Sequence, residues 1–109
     1  MEYFPIFVDL RDKNVLVIGD YRVLEFKIKK MIEAGAKITY LTDLLPNQIE
    51  DLEQSESVIF IQDEFKESYL DNMWLVVCGC NNTELKNEIV RTTSKKNILT
   101  NFVDEAPIS

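Results

Sequence analysis

The stretch VLVIGDYRVLEFKIKKMIEAGA, residues Val15 to Ala36, carries the pattern that decides the fold. Val15 to Ile18 is an unbroken apolar run, as expected of a parallel strand covered on both faces. Gly19 follows it as a turn. From about Arg22 to Glu33, apolar residues fall at Val23, Leu24, Ile28, Met31 and Ile32, mostly at helical spacing. Ala34-Gly35 then stops the helix, because glycine takes the left-handed conformation without a Cβ clash. A strand, a tight turn and a helix in this order make one βα unit.

The same alternation continues in both directions. Tyr3 to Leu10 is apolar but interrupted by Pro5, which predicts an edge strand. Lys37 to Thr42, Ser57 to Gln62, Met73 to Cys78 and Asn97 to Val103 read as further strands. Asp43 to Glu53 suggests a loop and a short helix, and Glu64 to Tyr69 a polar connection. Asn82 to Thr93 reads as a helix with Leu85, Ile89 and Val90 on one side. The expected fold is α/β, Rossmann-like and doubly wound. Its mostly parallel sheet has about five strands and helices on both faces, in a single domain spanning residues 1–109. Ligands of such sheets bind beyond the carboxyl ends of the strands. Those ends are Gly19-Asp20-Tyr21, Thr42-Asp43, Gly79-Cys80-Asn81 and Val103-Asp104-Glu105.

Composition narrows the function. The formal charge is −7, and the one dense cationic cluster, Lys27, Lys29 and Lys30, falls on a helix. That reads as a solvated face, so no nucleic-acid partner is expected. No run approaches the roughly 18 apolar residues of a membrane span, and the acidic start does not fit a signal peptide; a cytoplasmic chain is expected. With no histidine, acid/base work falls to carboxylates, lysines and tyrosines. Cys78-Gly79-Cys80 reads as small residues ending a buried strand. A rival use sets both thiolates with Asp104 around a soft metal, but no metal ligand is assigned.

The dinucleotide fingerprint G-x-G-x-x-G/A follows a first strand of this kind. Its three glycine positions fall here on Gly19, Tyr21 and Leu24, so only the first is met. Tyr21 is expected to put a side chain where the phosphates pass, and Leu24 to push the helix outward. Asp20 suits the helix dipole but repels a pyrophosphate.

Four ordered segments extend the comparison across the chain. YFPIFVDLRDKNVLVIG resembles Y-x-P-[LI]-F-x-[DN]-L-x-x-[KR]-x-V-L-V-[VI]-G. KIKKMIEAGAKIT resembles a first helix with its E-A-G-A stop. LVVCGCNNTELKNEIV falls where a strand ending in A-A-T and a D-x-x-x-N helix are found, and ILTNFVDE resembles the last strand end. Together they resemble the N-terminal dinucleotide-binding domain of siroheme synthases, a family that includes stand-alone precorrin-2 dehydrogenases. The resemblance implies oxidation of precorrin-2 to sirohydrochlorin with NAD as hydride acceptor, and in some members iron insertion. It implies Asp104 as the catalytic carboxylate and Asn101 as a loop-ordering residue. The cofactor residues would be Gly19, Asp20, Tyr21, Arg22, Val23, Asp43, Gly79 and Cys80. The sequence departs where G-G-G-x-V-A-x-R-K has become Gly19-Asp20-Tyr21-Arg22-Val23-Leu24-Glu25-Phe26-Lys27, and where A-A-T has become Cys78-Gly79-Cys80. The family's helical dimerisation segment is expected to lie outside this chain, leaving a tetrapyrrole ligand, a homodimer or a helix-supplying partner as the expected associations. The alternative is a non-catalytic relative that keeps the frame as a binding or regulatory module.

Overall fold

The computed structural model describes residues 6–42 and 56–103. The expected helix within Asp43–Glu53 and the candidate residues Asp43 and Asp104 lie outside them. The elements run β1 (Asn14–Gly19), α1 (Tyr21–Glu33), β2 (Lys37–Leu41), β3 (Val58–Ile61), a 3-10 turn (Glu67–Leu70), β4 (Leu75–Gly79), α2 (Thr83–Lys96) and β5 (Leu99–Phe102). All four strand pairings are parallel, and the order is β3-β2-β1-β4-β5. The chain therefore winds one way from β1 and the other way from β4. The gap between those two strands is the switch point, where such sheets open toward a ligand.

The apolar runs of the central strands are explained by cover on both sides. Val15 and Val17 of β1 meet Leu24, Ile28 and Met31 of α1 on one face. Leu16 and Ile18 meet Ile89 of α2 and Leu70 on the other. The Rossmann-like doubly wound architecture is thus the observed one, with an all-parallel sheet. The lysine cluster of α1 is exposed, with Lys29 paired to Glu25 and Lys30 over the Phe26 ring. No helix among the described residues is long and apolar enough to cross a membrane.

Two expectations are corrected. Residues 6–10 are irregular, not strand, and Ile6, Phe7 and Val8 are exposed while Leu10 alone enters the core. The helix expected over Asn82–Thr93 runs on to Lys96, where Asn97 closes it in the left-handed conformation at φ 56°. Its Val90 is exposed, and Thr92 and Thr93 take the buried positions instead. Both hydroxyls donate back to carbonyls one turn earlier, Thr92 to Glu88 and Thr93 to Ile89. A hydroxyl satisfied on its own helix can be buried without an outside partner.

At the amino end of the sheet, the Trp74 N–H donates to the Asn14 carbonyl at 2.8 Å. The Lys13 ammonium lies 5.4 Å from the centre of its ring.

Candidate functional site at the switch point

A cleft of about 940 Å³ opens at the carboxyl ends of the strands. It is bordered by Gly19, Asp20, Val23, Thr42, Gly79, Cys80 and Val103, with acidic groups from the β3 and α2 sides. The volume suits a cofactor-sized ligand.

Its floor is a pair of glycines in register, Gly19 opposite Gly79. Gly19 has φ +129°, and a Cβ there would lie 2.3 Å from the Gly79 carbonyl oxygen. Glycine is thus required at 19 by both backbone and space. The Gly79 carbonyl also accepts the Asp20 N–H at 3.2 Å, tying the start of α1 to β4.

Gly79 answers the question raised by Leu24. A Cβ on Gly79 would come within 2.9 Å of the Leu24 Cγ and Cδ2 atoms. Leu24 is wholly buried in that space. The expected outward push of the helix is not found, because the missing side chain sits on the neighbouring strand. The fingerprint's third glycine keeps helix and strand close by removing bulk from the helix; here the bulk is removed from β4.

Tyr21 also departs from expectation. Its ring packs on the α1 side of the sheet, with its centre 6.4 Å from that of Tyr40, and it does not border the cleft. The buried Tyr40 hydroxyl donates to the Gly19 carbonyl at 2.9 Å. Strand β2 thereby holds the turn through a side chain, in addition to the ladder between the strands.

Asp20 caps α1. Its carboxylate accepts from the Arg22 N–H at 2.9 Å and pairs with the Arg22 guanidinium at 2.7 Å. These bonds hold its carboxyl below the ordinary value, the guanidinium being the larger cause and the backbone N–H the next. The other acids around the cleft are Asp63, Glu64, Glu84 and Glu88. Asp63 accepts from the Tyr69 hydroxyl and pairs with Lys66. No lysine or arginine is among the described residues that border the cleft.

Cys78 and Cys80 lie on the α2 side of this floor. Their sulfurs are 3.1 Å apart, and both are free thiols. Cys78 is 1% exposed, and burial, then the neighbouring Cys80, push its thiol up to about 12. No group of three or more potential metal ligands occurs among the described residues.

Of the candidates read from sequence, Gly19, Asp20, Val23, Gly79 and Cys80 come together around the cleft, whereas Tyr21 and Arg22 do not border it. Asn101 is exposed on β5. Two contributors were missed. Tyr40 had a signal, since a tyrosine in a buried strand needs a partner for its hydroxyl. The rest of the acidic wall had less of one, because Asp63, Glu64, Glu84 and Glu88 come from separate elements.

A dinucleotide fits the residues present. The two glycines leave a side-chain-free floor at the switch point, the cleft is large enough, and Arg22 already offsets the one carboxylate beside the glycine turn.

Known proteins agree with this frame. Residues 6–109 match the family described as "Putative NAD(P)-binding". Siroheme synthase 2 of Yersinia pestis (strain Pestoides F) is 31% identical over 108 residues, covering 99% of this chain and 23% of that protein. Siroheme synthase of Buchnera aphidicola subsp. Acyrthosiphon pisum is 33% identical over 105 residues, covering 96% of this chain and 22% of its own length. The chain therefore spans about a quarter of the relatives it matches. Among solved structures, SirC, precorrin-2 dehydrogenase, superposes with a TM-score of 0.76 at 23% identity, over 98% of this chain and 51% of that one. The resemblance read from four sequence segments is thus met over nearly the whole length, and the chain belongs to this NAD(P)-binding family, in a form similar to a stretch of siroheme synthases.

Proposed function

We propose that this chain is the dinucleotide-binding part of a precorrin-2 dehydrogenase, which oxidises precorrin-2 to sirohydrochlorin in siroheme biosynthesis. The observation that carries the reading is the glycine pair Gly19–Gly79 at the floor of a cofactor-sized cleft. NAD, when bound, accepts the hydride. Gly19, Asp20 and Val23 hold the pyrophosphate side, with Arg22 keeping the Asp20 carboxylate paired. Gly79 and Cys80 form the wall on the β4 side, and Asp43 joins the cofactor residues. Asp104 serves as the proton-handling carboxylate; the residue before it, Val103, borders the cleft. The names of the relatives support the substrate class.

A second reading is favoured by the acidic wall with no lysine or arginine among its described residues. A polycarboxylate substrate meets repulsion there, so the chain would keep the frame as a binding or regulatory module. Titration with NADH, followed by the emission of the nicotinamide, separates the two. Binding in the micromolar range, with loss of precorrin-2 oxidation but not of NADH affinity in Asp104→Asn, supports the dehydrogenase. Absence of binding at millimolar nucleotide rejects it in favour of the module.

A further inference from the structure

We propose that Cys78 and Cys80 are a redox pair that closes to an intrachain disulfide and thereby loosens the glycine turn at the cleft. Three observations carry this. The two sulfurs lie on the same side of the chain, 3.1 Å apart. A disulfide needs about 2.05 Å, so closure asks the sulfurs to approach by only roughly 1 Å. Cys80 borders the cleft, half-buried, and is the member an oxidant reaches, whereas Cys78 is enclosed by Leu16, Ile18 and Ile89 and their neighbours. Finally, the residue between them is Gly79, whose backbone has the freedom to pucker.

In an extended strand, residues two apart are separated by about 6.6 Å between Cα atoms. Disulfides most often span about 5.5–6 Å between Cα atoms. Closing the pair therefore shortens this span and moves the Gly79 peptide. The Gly79 carbonyl accepts the Asp20 N–H and lies where a Cβ on Gly19 would be 2.3 Å away. A shift of that carbonyl is felt directly by the Gly19-Asp20 turn and by Leu24 above it.

The chemistry balances with hydrogen peroxide as oxidant. The Cys80 sulfur attacks one peroxide oxygen; the S–O bond forms, the O–O bond breaks, and hydroxide leaves with the thiol proton as water. The Cys78 thiol passes its proton to the sulfenic hydroxyl as its sulfur attacks Cys80; the S–S bond forms, the S–O bond breaks, and a second water leaves. Two thiols lose two electrons and two protons, and peroxide is reduced to two waters. Cytosolic disulfides are characteristically transient and redox-sensing.

The thiol chemistry stands apart from the nucleotide reading; only its effect on affinity rests on that reading. The reduced full chain is treated with peroxide, denatured, alkylated and weighed by mass spectrometry. Expected is the loss of two hydrogens, no alkyl label on either cysteine, a monomeric chain and full reversal by dithiothreitol. In Cys78→Ala, Cys80 instead gains oxygen stepwise. Alkylatable Cys78 beside an oxygenated Cys80 in the wild type, or a disulfide between chains, overturns the proposal. Amide hydrogen exchange at 20–24 is expected to quicken in the oxidised chain; unchanged exchange overturns the coupling. NADH affinity is expected to fall by roughly tenfold on oxidation, about the value of one hydrogen bond. Equal affinity in both forms also overturns the coupling. If neither form binds NADH while the disulfide closes and exchange quickens, the nucleotide reading fails and the redox pair stands.

Discussion

At the scale of single residues, the cleft floor depends on an exchange of bulk between helix and strand. Leu24 occupies the space that a Cβ on Gly79 would need. Gly79→Ala should therefore cost about 1–3 kcal/mol, the usual range for overpacking, and Leu24→Ala about 2–5 kcal/mol through the cavity it leaves. The double variant should cost less than the sum, with a coupling of about 1 kcal/mol or more. Denaturant unfolding of the four proteins reads this out, and strict additivity would show that the two residues do not compete for one space. Tyr40→Phe removes the hydroxyl that serves the Gly19 carbonyl. A loss of about 1 kcal/mol is expected, seen as a fall of roughly 4–8 °C in melting temperature for a domain of this size. The fingerprint read alone marks Leu24 as an obstacle because it contains no information about β4. The compensating glycine is 55 positions away, and only the register of β1 with β4 brings it opposite.

At the scale of elements, α1 is fixed at its start by Asp20 and at its end by the glycine stop, where Gly35 has φ +86°. The Asp20 carboxyl is lowered by its bonds to Arg22, so the folded state prefers the ionised form more than the unfolded chain does. Its contribution to stability is complete above the ordinary value of 3.8 and drains away as pH falls below that value through the lowered one. Asp20→Asn keeps a capping oxygen but loses the ion pair. The stability gap between wild type and this variant should therefore close on acidification; a gap constant down to pH 2 would contradict the assignment. The pattern of periodic apolar residues and stop signals made α1 and the strands legible. It misread α2 in part: Val90 looks apolar and therefore inward, yet the threonines satisfy their hydroxyls on the helix itself and take the buried side. The direction of Tyr21 was equally hidden, since only the fold supplies the Tyr40 ring against which it rests.

At the scale of the whole molecule, strand order and charge set what the cleft accepts. A mostly parallel, doubly wound sheet was foreseeable from the apolar runs of its covered strands, whereas the order β3-β2-β1-β4-β5 came only from the fold. The acidic wall was not foreseeable either, because it assembles from the ends of separate elements. With Asp20, Asp63, Glu64, Glu84 and Glu88 around the cleft, a third phosphate group on the nucleotide adds repulsion. NADP is expected to bind at least roughly tenfold more weakly than NAD, a difference of about 1.4 kcal/mol. The repulsion is screened by salt, so nucleotide affinity should rise between low and physiological ionic strength. Competition titrations at two salt concentrations test both, and an affinity that falls with salt would point to a cationic contact instead.

The single tryptophan lies at the amino end of the sheet, across the molecule from the cleft. The protein thus has two separate optical channels, indole emission for the folded state and nicotinamide emission for the ligand. A nucleotide that never touches Trp74 can still delay the loss of its native signal, because a ligand bound only to the folded chain shifts unfolding by mass action. At a hundredfold excess over its dissociation constant that shift is about 2.7 kcal/mol. Occupancy at one end of the sheet would then be legible as an unfolding midpoint recorded at the other.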